Sequence, residues 1–538
     1  MTLDPLAGQL APPAKIVNLA RLMAEYYQGQ PLVPVAFGTS GHRGSAFKGS
    51  FNEPHVAAIT QAVVEYRKSQ GYKGPLFLGY DTHALSEGAW RTALEVLVAQ
   101  AIPTIISQDQ EYSPTPVISF LILEHNRLHP EALADGIIIT PSHNPPQDGG
   151  IKYNPPSGGP ADVDATGWIE KRAGELLKKP ESIKRVPLYR ALTASHVEAK
   201  NFITPFVESL GQVVDLKLVS EAKLKLGVDP LGGSGVHFWE PIAERWGLNI
   251  TVVNPIVDPS FSFMTLDADG AIRMDCSSPY AMANLLKIGD LFDLAFGNDP
   301  DYDRHGIVSG GQLMNPNHYL ATAISYLLAN RPLWPKTAKI GKTLVSSSVI
   351  NRVVTGAGRE VYETPVGFKW FVKGLLEKTL LFGGEESAGA TFLKMDGTTW
   401  TTDKDGFSMT LLAAEILAKT GRAPHEIYAS LTEKYGTTDY GRVDSDLTES
   451  DKNALAKFEV ASLVGQKCAG QTIVEAWTKA PGNQASIGGL KAILADGSWF
   501  ALRPSGTEPK IKLYVESFSG ADFQAQITQD ARALVLGC

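Results

Sequence analysis

Short apolar runs alternate with longer amphipathic stretches over most of this chain. Residues 75–80, 104–107 and 136–139 are apolar runs of strand length, and residues 87–101 have the spacing of a helix. Such alternation is typical of crossover units, in which helices join the strands of a largely parallel sheet. The pattern therefore predicts an α/β domain near the start of the chain. We expect the residues before it, about 30 in number, to form a loosely held arm that leads into a short helix.

The same alternation occurs twice more before the pattern changes. The further predicted strands and helices lie at 224–228, 236–246, 249–253, 291–296, 343–346, 361–362, 379–382 and 407–418. In the tail, apolar runs at 485–495, 499–503 and 511–515 are joined by short loops and followed by one helix-length stretch. Short loops between strands indicate an antiparallel sheet.

These patterns predict an α/β protein built from three similar α/β domains and a C-terminal α+β domain. The first three domains would have mixed, mostly parallel sheets, and the last an antiparallel sheet. The length of 538 residues suits this number, since domains commonly contain about 150 residues. The predicted domains are residues 1–207, 208–315, 316–432 and 433–538.

Composition and charge exclude several classes of protein. Charged residues make up 20% of the chain and hydrophobic residues 43%, which is ordinary for a globular protein. The formal net charge of −8 does not favour nucleic-acid binding, which needs a basic surface. No apolar run approaches the ~18 residues of a membrane span, and the first residues lack the pattern of a signal peptide. Cys276, Cys468 and Cys538 lie too far apart for a disulfide framework or a thiolate zinc site, which indicates a reducing compartment.

The first loop with candidate chemistry reads TPSHNPP, residues 140–146, and follows the predicted strand at 136–139. Ligands of open α/β sheets bind beyond the carboxyl ends of strands, so this position suits a site. Prolines on both sides restrict Ser142 and His143, which lowers the entropy cost of holding a hydroxyl in one place. A surface turn with a capping serine is the alternative. The lack of a G-x-S-x-G sequence around Ser142 argues against acyl chemistry.

The second loop, DPDYDR at 299–304, also follows an apolar run and has Asp299, Asp301 and Asp303 at alternate positions. Two like charges ~4 Å apart repel by about 4 kcal/mol at an effective dielectric constant of ~20, so three such carboxylates favour a bound cation. Mg²⁺ prefers oxygen ligands of this kind. A calcium loop of the EF-hand type is excluded, because Arg304 and Gly310 replace its required glycine and glutamate. An exposed polar turn remains the alternative.

Two further loops have the composition of a sugar-phosphate site. The loop GGEESAG at 383–389 presents Glu385 and Ser387, an acceptor and a donor that suit neighbouring sugar hydroxyls. A glycine-rich turn that starts a helix is the alternative. The loop RPSGTEP at 503–509 offers a guanidinium, two hydroxyls and backbone N–H groups, which suit a phosphate. An ordinary hairpin loop would have a similar composition.

Other residues could line the same cleft, although each alone suits a turn or a helix cap better than a site. The stretch 38–44 offers a flexible backbone beside an arginine. Lysines adjoin the loops at Lys152, Lys369 and Lys404. The Gly-Lys-Thr at 341–343 lacks the earlier glycine of a Walker A loop, so nucleotide binding is not indicated. The DADG at 267–270 lacks a third carboxylate and is predicted to be a plain turn.

The four loops TPSHNPP, DPDYDR, GEESAG and RPSGTEP, in this order, resemble the α-D-phosphohexomutase superfamily, and within it the bacterial enzymes specific for α-D-glucose. The resemblance extends over roughly residues 37–516. It implies four domains around a central cleft, with the last domain acting as a lid. It also implies a cytoplasmic phosphoglucomutase, monomeric or homodimeric, whose partners are small sugar phosphates and that has no role at nucleic acids or membranes.

The resemblance implies a role for each matching residue. Ser142 would carry a phosphoryl group and would bind Mg²⁺ together with Asp299, Asp301 and Asp303. The catalytic residues would be Ser142, His143, Arg43, Lys369 and Lys404. The substrate-binding residues would be Thr39, Lys152, Arg304, Gly367, Glu385, Ser387, Arg503, Ser505, Gly506 and Thr507.

The implied reaction is the reversible interconversion of α-D-glucose 1-phosphate and glucose 6-phosphate. It would proceed through a phosphoserine enzyme and glucose 1,6-bisphosphate, which also serves as activator. A phosphomannomutase or dual-specificity mutase is one alternative; a phosphatase and a non-catalytic sugar-phosphate-binding protein are others. The sequence departs from the family pattern near His83, where many relatives have an arginine, and at Val366, where some glucose-specific relatives have threonine.

Overall fold

The computed structural model describes residues 3–38, 41–448, 451, 455, 458–504 and 510–536, and these residues form four β-sheets. The sheets follow one another along the chain, and we name them A to D. Sheets A, B and C combine parallel and antiparallel strands, whereas neighbouring strands of sheet D are antiparallel. The predicted fold class is therefore confirmed.

Sheet A occupies the first part of the chain. Its strands are β1 (His42–Ser45), β2 (Leu76–Tyr80), β3 (Thr104–Ser107), β4 (Asp135–Ile139), β5 (Asp148–Asn154) and β6 (Val197–Lys200). Its helices are α1 (Leu19–Gln28), α2 (Glu53–Ser69), α3 (Ala84–Ala99), α4 (Thr115–Leu128), α5 (Val163–Leu177) and α6 (Leu188–Leu192). The strand order is β1-β5-β4-β2-β3-β6, with β1 and β5 antiparallel at one edge. Strands β2 and β4 are buried over their whole length, as their apolar runs predict.

Sheets B and C continue the same architecture. Sheet B contains β7 (Lys225–Asp229), β8 (Asn249–Val252), β9 (Leu294–Gly297), β10 (Gly306–Ser309) and β11 (Gln312–Leu313), with helices α7 (Ile203–Ser209), α8 (Leu216–Ala222), α9 (Trp239–Trp246) and α10 (Ala283–Leu286). Sheet C contains β12 (Lys339–Thr343), β13 (Val361–Thr364), β14 (Leu380–Glu385) and β15 (Gly389–Phe392), with helices α11 (Pro316–Asn330), α12 (Ser348–Gly356), α13 (Lys369–Leu376), α14 (Gly406–Thr420) and α15 (Pro424–Tyr435). The strand orders are β11-β10-β9-β7-β8 and β13-β12-β14-β15.

Sheet D lies in the tail and has a different topology. Its strands are β16 (Asp439–Asp446), β17 (Lys467–Cys468), β18 (Gln471–Lys479), β19 (Ser486–Leu494), β20 (Trp499–Pro504) and β21 (Lys510–Ser517), and helix α16 (Ala521–Leu536) follows them. The strand order is β16-β21-β20-β19-β18-β17. The tail is thus the predicted antiparallel α+β unit.

One connection recurs in sheets A, B and C. In each sheet a parallel strand (β4, β9 or β14) is followed by a loop and then by an antiparallel strand (β5, β10 or β15). Three of the candidate loops, at 140–147, 298–305 and 386–388, are these connections. They leave the carboxyl ends of their strands, where ligands of α/β sheets bind.

Sheets A, B and C share one apolar core. Its centre is an aromatic cluster in which the ring of Trp400 lies 5.0 Å from that of Phe120 on α4 and 5.3 Å from that of Phe206 on α7. Phe407 on α14 lies 5.4 Å from Phe206. Sheet D and α16 have a separate core. The continuous core fixes the three connecting loops relative to one another, whereas sheet D contacts sheet C through a smaller cluster around Trp499.

The expectation of a loosely held N-terminal arm is wrong. The backbone of the arm pairs with the turn region 264–270: Gly8 N–H donates to the Leu266 carbonyl over 2.8 Å, and Leu266 N–H donates to the Gln9 carbonyl over 2.9 Å. Lys15 Nζ also lies 2.5 Å from the Gly270 carbonyl. The DADG sequence at 267–270 is thus a turn, as predicted, and part of the surface to which the arm binds.

Two predicted strands are displaced in the structure. Of the run at 343–346 only Thr343 belongs to β12, because Leu344 and Val345 pack against sheet D residues around Trp499 instead of continuing the strand. In the run at 291–296 the strand begins only at Leu294, and Leu291 before it is 68% exposed. The predicted domain boundaries at 207 and 432 fall inside α7 and α15.

Candidate active site

Ser142 lies in the loop between β4 and β5 and is almost completely buried. Its Oγ donates a hydrogen bond to Asp299 Oδ2 over 2.9 Å, although 157 positions separate the two residues. The backbone of Ser142 has φ 62°, in the left-handed region. This conformation costs a residue other than glycine of order 1–3 kcal/mol, so the surrounding contacts must maintain it.

The connection between β2 and α3 supplies those contacts. Asp81 Oδ2 accepts a hydrogen bond from Thr140 Oγ1 over 2.6 Å and lies 2.9 Å from His83 Nδ1. Thr140 Oγ1 accepts the backbone N–H of Ser142 over 2.8 Å. Burial disfavours charge on both Asp81 and His83, but their mutual attraction lowers the pKa of Asp81 and raises that of His83. Sequence reasoning noted His83 as a departure and did not predict this network.

The DPDYDR loop brings its three aspartates together. Carboxylate oxygens of Asp299, Asp301 and Asp303 all lie within 4.8 Å of one another and are buried. Oδ1 of Asp301 and Oδ1 of Asp303 have no hydrogen-bond partner within the described residues. Buried carboxylate oxygens without partners are costly, and a hard divalent cation would satisfy them. The three aspartates therefore have the geometry and the chemistry to bind such a cation.

The conformation of Tyr302 explains how three alternate aspartates converge. Tyr302 has φ 61° and turns the chain between Asp301 and Asp303. Its ring is buried, stacks on Phe407 at 4.5 Å, and its hydroxyl accepts a hydrogen bond from Trp239 Nε1 over 2.9 Å. The apolar core thus holds the centre of the acidic loop in place.

Basic side chains surround the three aspartates. Lys152 Nζ lies 2.5 Å from Asp301 Oδ2 and 3.0 Å from Asp303 Oδ2. Lys404 Nζ lies 2.9 Å from Asp303 Oδ2, and Arg304 Nε 3.8 Å from Asp303 Oδ1. Burial would raise the pKa of Asp303, but attraction to Lys152 and Lys404 lowers it well below the usual value. Strand β5 of sheet A and the segment before α14 therefore supply cations to the acidic loop of sheet B.

The pKa values of Asp299 and Arg43 are shifted in the direction that disfavours their charged forms. Burial and the charges of Asp301 and Asp303 raise the pKa of Asp299 well above its usual value. Burial lowers the pKa of Arg43, while the charge of Asp301 acts in the opposite direction. Burial and repulsion within the acidic loop thus disfavour charge on Asp299, the residue that contacts the serine.

His143 lies between the serine and an aspartate that sequence reasoning missed. Its Nδ1 is 3.3 Å from Ser142 Oγ, and its Nε2 is 4.0 Å from Asp275 Oδ2. Burial and the charge of Arg304 lower the pKa of His143 to about 3. An uncharged imidazole beside the hydroxyl can accept a proton from it.

The GEESAG loop places Glu385 close to the same site. Glu385 Oε2 lies 3.9 Å from Lys404 Nζ, and Glu385 Oε1 accepts the backbone N–H of Gly367 over 3.1 Å. Burial raises the pKa of Glu385 to about 7. Ser387 is half-buried in the turn between β14 and β15, where no helix begins. The antiparallel pairing of Arg304 with Gly389 joins this loop to the acidic loop.

The other predicted site residues do not all reach this cluster. Lys369 begins α13, and its Nζ lies 5.7 Å from the ring of Trp370. Burial lowers the pKa of Lys369, while the charge of Asp162 acts in the opposite direction. Arg503 lies near the end of β20 in sheet D. Burial and the charge of Glu386 raise the pKa of Tyr514 to about 12, while the charge of Arg503 acts in the opposite direction. Thr39, Ser505, Gly506 and Thr507 lie outside the described residues.

Helix α4 binds the acidic loop and the segment before Lys404 through residues that sequence reasoning did not identify. Thr115 Oγ1 donates to Asp301 Oδ2 over 2.8 Å, and its backbone N–H donates to the Asp301 carbonyl over 2.9 Å. One turn later, Ser119 Oγ accepts the backbone N–H groups of Thr402 and Asp403, each over 3.2 Å. Because these partners lie far apart in sequence, no local pattern could have indicated them.

The sequence matches the four domains of one protein family in order. Residues 34–179, 204–312 and 315–435 match the phosphoglucomutase/phosphomannomutase α/β/α domains I, II and III, and residues 455–532 match its C-terminal domain. The chain is also 51% identical over 538 residues to the phosphoglucomutase of Komagataeibacter xylinus, covering 99% of this chain and 97% of that protein. The chain belongs to the phosphoglucomutase/phosphomannomutase family. The predicted resemblance is confirmed, and with it membership of a family of phosphohexomutase isomerases.

More distant proteins of the family align over nearly the same length. Phosphoglucomutase 2 of Saccharomyces cerevisiae is 27% identical, covering 92% of each chain. The open form of parafusin, an exocytosis-sensitive phosphoprotein from Paramecium, is 20% identical and superimposes with a TM-score of 0.74, covering 94% of this chain and 95% of that one. The family fold therefore extends over almost the whole chain. Within the described residues, no helix has the length and apolar character needed to cross a membrane.

Proposed function

We propose that this protein is a phosphoglucomutase, which interconverts α-D-glucose 1-phosphate and glucose 6-phosphate. Ser142 would carry the phosphoryl group, and glucose 1,6-bisphosphate would be both the intermediate and the activator. The observation that carries this proposal is the 2.9 Å hydrogen bond from Ser142 Oγ to Asp299. It joins the candidate nucleophile to the candidate metal loop in a family whose relative of 51% identity is named phosphoglucomutase.

The residues around the aspartates suit Mg²⁺. Lys152 and Lys404 contact Oδ2 atoms, whereas the Oδ1 atoms of Asp301 and Asp303 have no hydrogen-bond partner within the described residues. We propose that Asp299, Asp301, Asp303 and an oxygen on Ser142 bind the ion. When bound, Mg²⁺ would supply positive charge to the oxygens of the phosphoryl group on Ser142.

The proposed reaction consists of two phosphoryl transfers. In the first, the phosphorus–oxygen bond to Ser142 breaks while the 6-hydroxyl of glucose 1-phosphate forms a bond to the same phosphorus. The resulting 1,6-bisphosphate turns over in the site and returns its other phosphoryl group to Ser142, which leaves glucose 6-phosphate. Arg43, Lys152 and Lys404 would stabilise charge on the transferred group, since transfers of this type depend mainly on positioning and electrostatics.

In the first transfer the proton of the 6-hydroxyl must reach the oxygen of Ser142, and in the second the proton of the Ser142 hydroxyl must reach the 1-oxygen of the sugar. His143 and Lys404 are the two candidate carriers. His143 Nδ1 is 3.3 Å from Ser142 Oγ, whereas the Lys404 amine is held by Asp303 at 2.9 Å. We therefore assign the proton transfer to His143 and the stabilisation of charge to Lys404.

Substrate recognition would use the loops of sheets C and D. Glu385 and Ser387 would bind neighbouring sugar hydroxyls, beside Lys404 and Gly367. Arg304 and Lys369 would support the phosphate groups, and Arg503 belongs to the loop that would hold the phosphate that does not react. Thr39, Ser505, Gly506 and Thr507 complete the proposed set.

We further propose that the enzyme works in a reducing compartment, the cytoplasm. Cys276 and Cys468 are buried and carry free thiols, and neither has a disulfide partner within the described residues. Enzymes that keep buried cysteines reduced are typical of that compartment.

Phosphorus NMR tests the activity directly. The protein is incubated with Mg²⁺, a trace of glucose 1,6-bisphosphate and either glucose 1-phosphate or mannose 1-phosphate. We expect rapid appearance of glucose 6-phosphate, with slower or no conversion of the mannose compound. Equal conversion would indicate a dual-specificity mutase, faster conversion of mannose 1-phosphate a phosphomannomutase, and steady release of inorganic phosphate a phosphatase. No reaction with either sugar would refute the proposal.

A further inference from the structure

The proposed reaction gives no role to Asp81 and His83. Both lie beside the loop that contains Ser142, residues 140–147, which we call the serine loop. Asp81 is completely buried and His83 nearly so. Among the described hydrogen bonds, none joins either side chain to Ser142 itself. The hydrogen bonds of the two side chains join them to each other, to the serine loop or to the start of α3.

Asp81 is the centre of this network. One carboxylate oxygen accepts the backbone N–H of His83 over 3.0 Å and the hydroxyl of Ser86 over 2.6 Å. The other accepts the hydroxyl of Thr140 over 2.6 Å and faces His83 Nδ1 at 2.9 Å. Both oxygens are therefore fully used, which fixes the carboxylate relative to β2 and α3.

Thr140 connects Asp81 to Ser142 through hydrogen bonds of its hydroxyl group. Its hydroxyl hydrogen is directed to Asp81, so a lone pair of the same oxygen is free to accept the Ser142 N–H over 2.8 Å. Without Asp81 the hydroxyl could rotate, and its lone pair would no longer be directed at that N–H. The φ of 62° at Ser142 needs such a contact, because this conformation is unfavourable for serine.

His83 holds the far side of the loop. Its Nε2 lies 2.9 Å from the carbonyl oxygen of Asn144, and its Nδ1 faces Asp81. Both ring nitrogens thus face acceptors, so the ring donates on both sides. The loop is held before the serine through Thr140 and after it through Asn144.

We propose that Asp81, His83 and Thr140 are positioning residues that aim the Ser142 oxygen at the phosphoryl acceptor. This inference rests on the proposed mutase function. A displacement of about 1 Å in a reacting group can cost about 100-fold in rate, so loss of the Thr140 hydroxyl should act on kcat. The KM for glucose 1-phosphate should change little, because the network does not reach the sugar-binding loops.

The test compares Thr140→Val with Thr140→Ser, which keeps the hydroxyl. Thr92→Val is the matched control: Thr92 is a buried threonine of α3 whose hydroxyl contacts Tyr26 and the Gly88 carbonyl, away from the serine loop. We expect kcat to fall about 100-fold in Thr140→Val, with KM within about 3-fold of the wild type. Thr140→Ser should recover most of kcat, and Thr92→Val should lower the melting temperature without lowering kcat.

Hydrogen exchange gives a second measurement that does not need activity. Between Thr140 and Pro146 the exchangeable amides belong to Ser142, His143 and Asn144, because the other residues are prolines. A peptide covering this loop should exchange faster in Thr140→Val than in Thr92→Val or the wild type. Should Thr140→Val fail to fold, Asp81→Asn, which keeps the shape of the side chain, is measured in the same two ways with the same expected results.

Specific outcomes overturn the inference. A kcat of Thr140→Val within 3-fold of the wild type would do so, as would equal losses in Thr140→Val and Thr140→Ser, or unchanged exchange of the loop. Absence of mutase activity in the wild type would instead refute the proposed function. In that case the exchange measurement still decides whether the network orders the loop.

Discussion

Ser142 differs from an ordinary buried serine in its backbone conformation, in the acceptor of its hydroxyl and in the imidazole beside it. Its φ lies in the left-handed region, its hydroxyl donates to a carboxylate of the acidic loop, and an imidazole lies 3.3 Å away. A serine with only a structural role would not need all three. The combination supports the proposal that this hydroxyl carries the phosphoryl group.

Substitution of this residue tests the assignment most directly. Ser142→Ala removes the oxygen that would carry the phosphoryl group, so we expect turnover to fall by at least about 10⁴-fold, with little change in the free energy of unfolding. Activity is measured by a coupled assay for glucose 6-phosphate, and stability by urea unfolding. Ser107→Ala, at the end of β3, is the control and should retain activity. Substantial turnover by Ser142→Ala would contradict the role of this serine.

Mg²⁺ should stabilise the folded protein through the acidic loop. A ligand that binds only the folded state at 100 times its Kd stabilises by about 2.7 kcal/mol, so saturating Mg²⁺ should raise the melting temperature. The Asp301→Asn variant should lose this increase and its activity, whereas Asp164→Asn, an exposed substitution on α5, should keep both. Differential scanning fluorimetry with and without Mg²⁺ measures the shift. Equal stabilisation of Asp301→Asn and the wild type would place the ion elsewhere.

At the scale of elements, helix α4 connects the three sheets that form the site. Its first turn binds Asp301 through Thr115, and its second turn binds the segment before Lys404 through Ser119. Its aromatic face packs into the shared core at Phe120. A helix that belongs to sheet A thus sets the position of loops from sheets B and C.

Loss of the Thr115 hydroxyl should therefore weaken metal binding without removing a ligand. Outer residues that orient metal ligands typically contribute 10–100-fold in affinity, and we expect Thr115→Val to lower the affinity for Mg²⁺ by about 10-fold. The Mg²⁺ dependence of activity measures this change. The control is Thr355→Val on the exposed side of α12, where the hydroxyl bonds only within its own helix. An unchanged Mg²⁺ dependence would show that Thr115 does not orient Asp301.

The candidate loops could be predicted from sequence because they are local. Each is a short polar segment after an apolar strand, and its side chains are chemically distinctive. The contacts of Thr140 with Asp81 and of Thr115 with Asp301 could not be predicted, since they join residues 59 and 186 positions apart and involve common residue types. For the same reason the sequence predicts a strand at 343–346, although the apolar side chains of Leu344 and Val345 pack against another sheet.

At the scale of the whole molecule, sheet D is attached to sheet C by buried polar groups. Glu516 accepts hydrogen bonds from the Ser347 hydroxyl over 2.5 Å and from the Ser348 N–H over 2.7 Å, at the start of α12. Lys491 Nζ lies 2.8 Å from Glu363 Oε1. Because such groups must be paired when buried, this interface has a defined geometry even though the two cores are separate.

Lys342 lies next to this interface, with its Nζ 3.7 Å from Glu363 Oε2. It should make the free energy of unfolding depend on pH. Its amine is buried and donates to the carbonyls of Ser346 and Ser347 over 2.8 and 3.3 Å. Burial lowers its pKa to about 8, with Glu363 acting in the opposite direction. An unfolded lysine has a pKa of about 10.4, so between these values the unfolded chain binds a proton that the folded chain does not. The contribution of Lys342 to stability therefore rises as the pH increases from about 8 towards 10.4, by up to about 3 kcal/mol.

Urea unfolding of the wild type and Lys342→Met at pH 8 and pH 10 isolates this contribution. Other groups titrate in the same range in both proteins, so the relevant quantity is the difference between their two changes in the free energy of unfolding. We expect the wild type to gain stability relative to Lys342→Met as the pH rises. Lys373→Met, which removes an exposed lysine from α13, should follow the wild type. The free energies of unfolding of the wild type and Lys342→Met could instead change equally with pH. The Lys342 amine would then have the same pKa in the folded and unfolded chains, because its hydrogen bonds would fully offset the effect of burial beside Glu363.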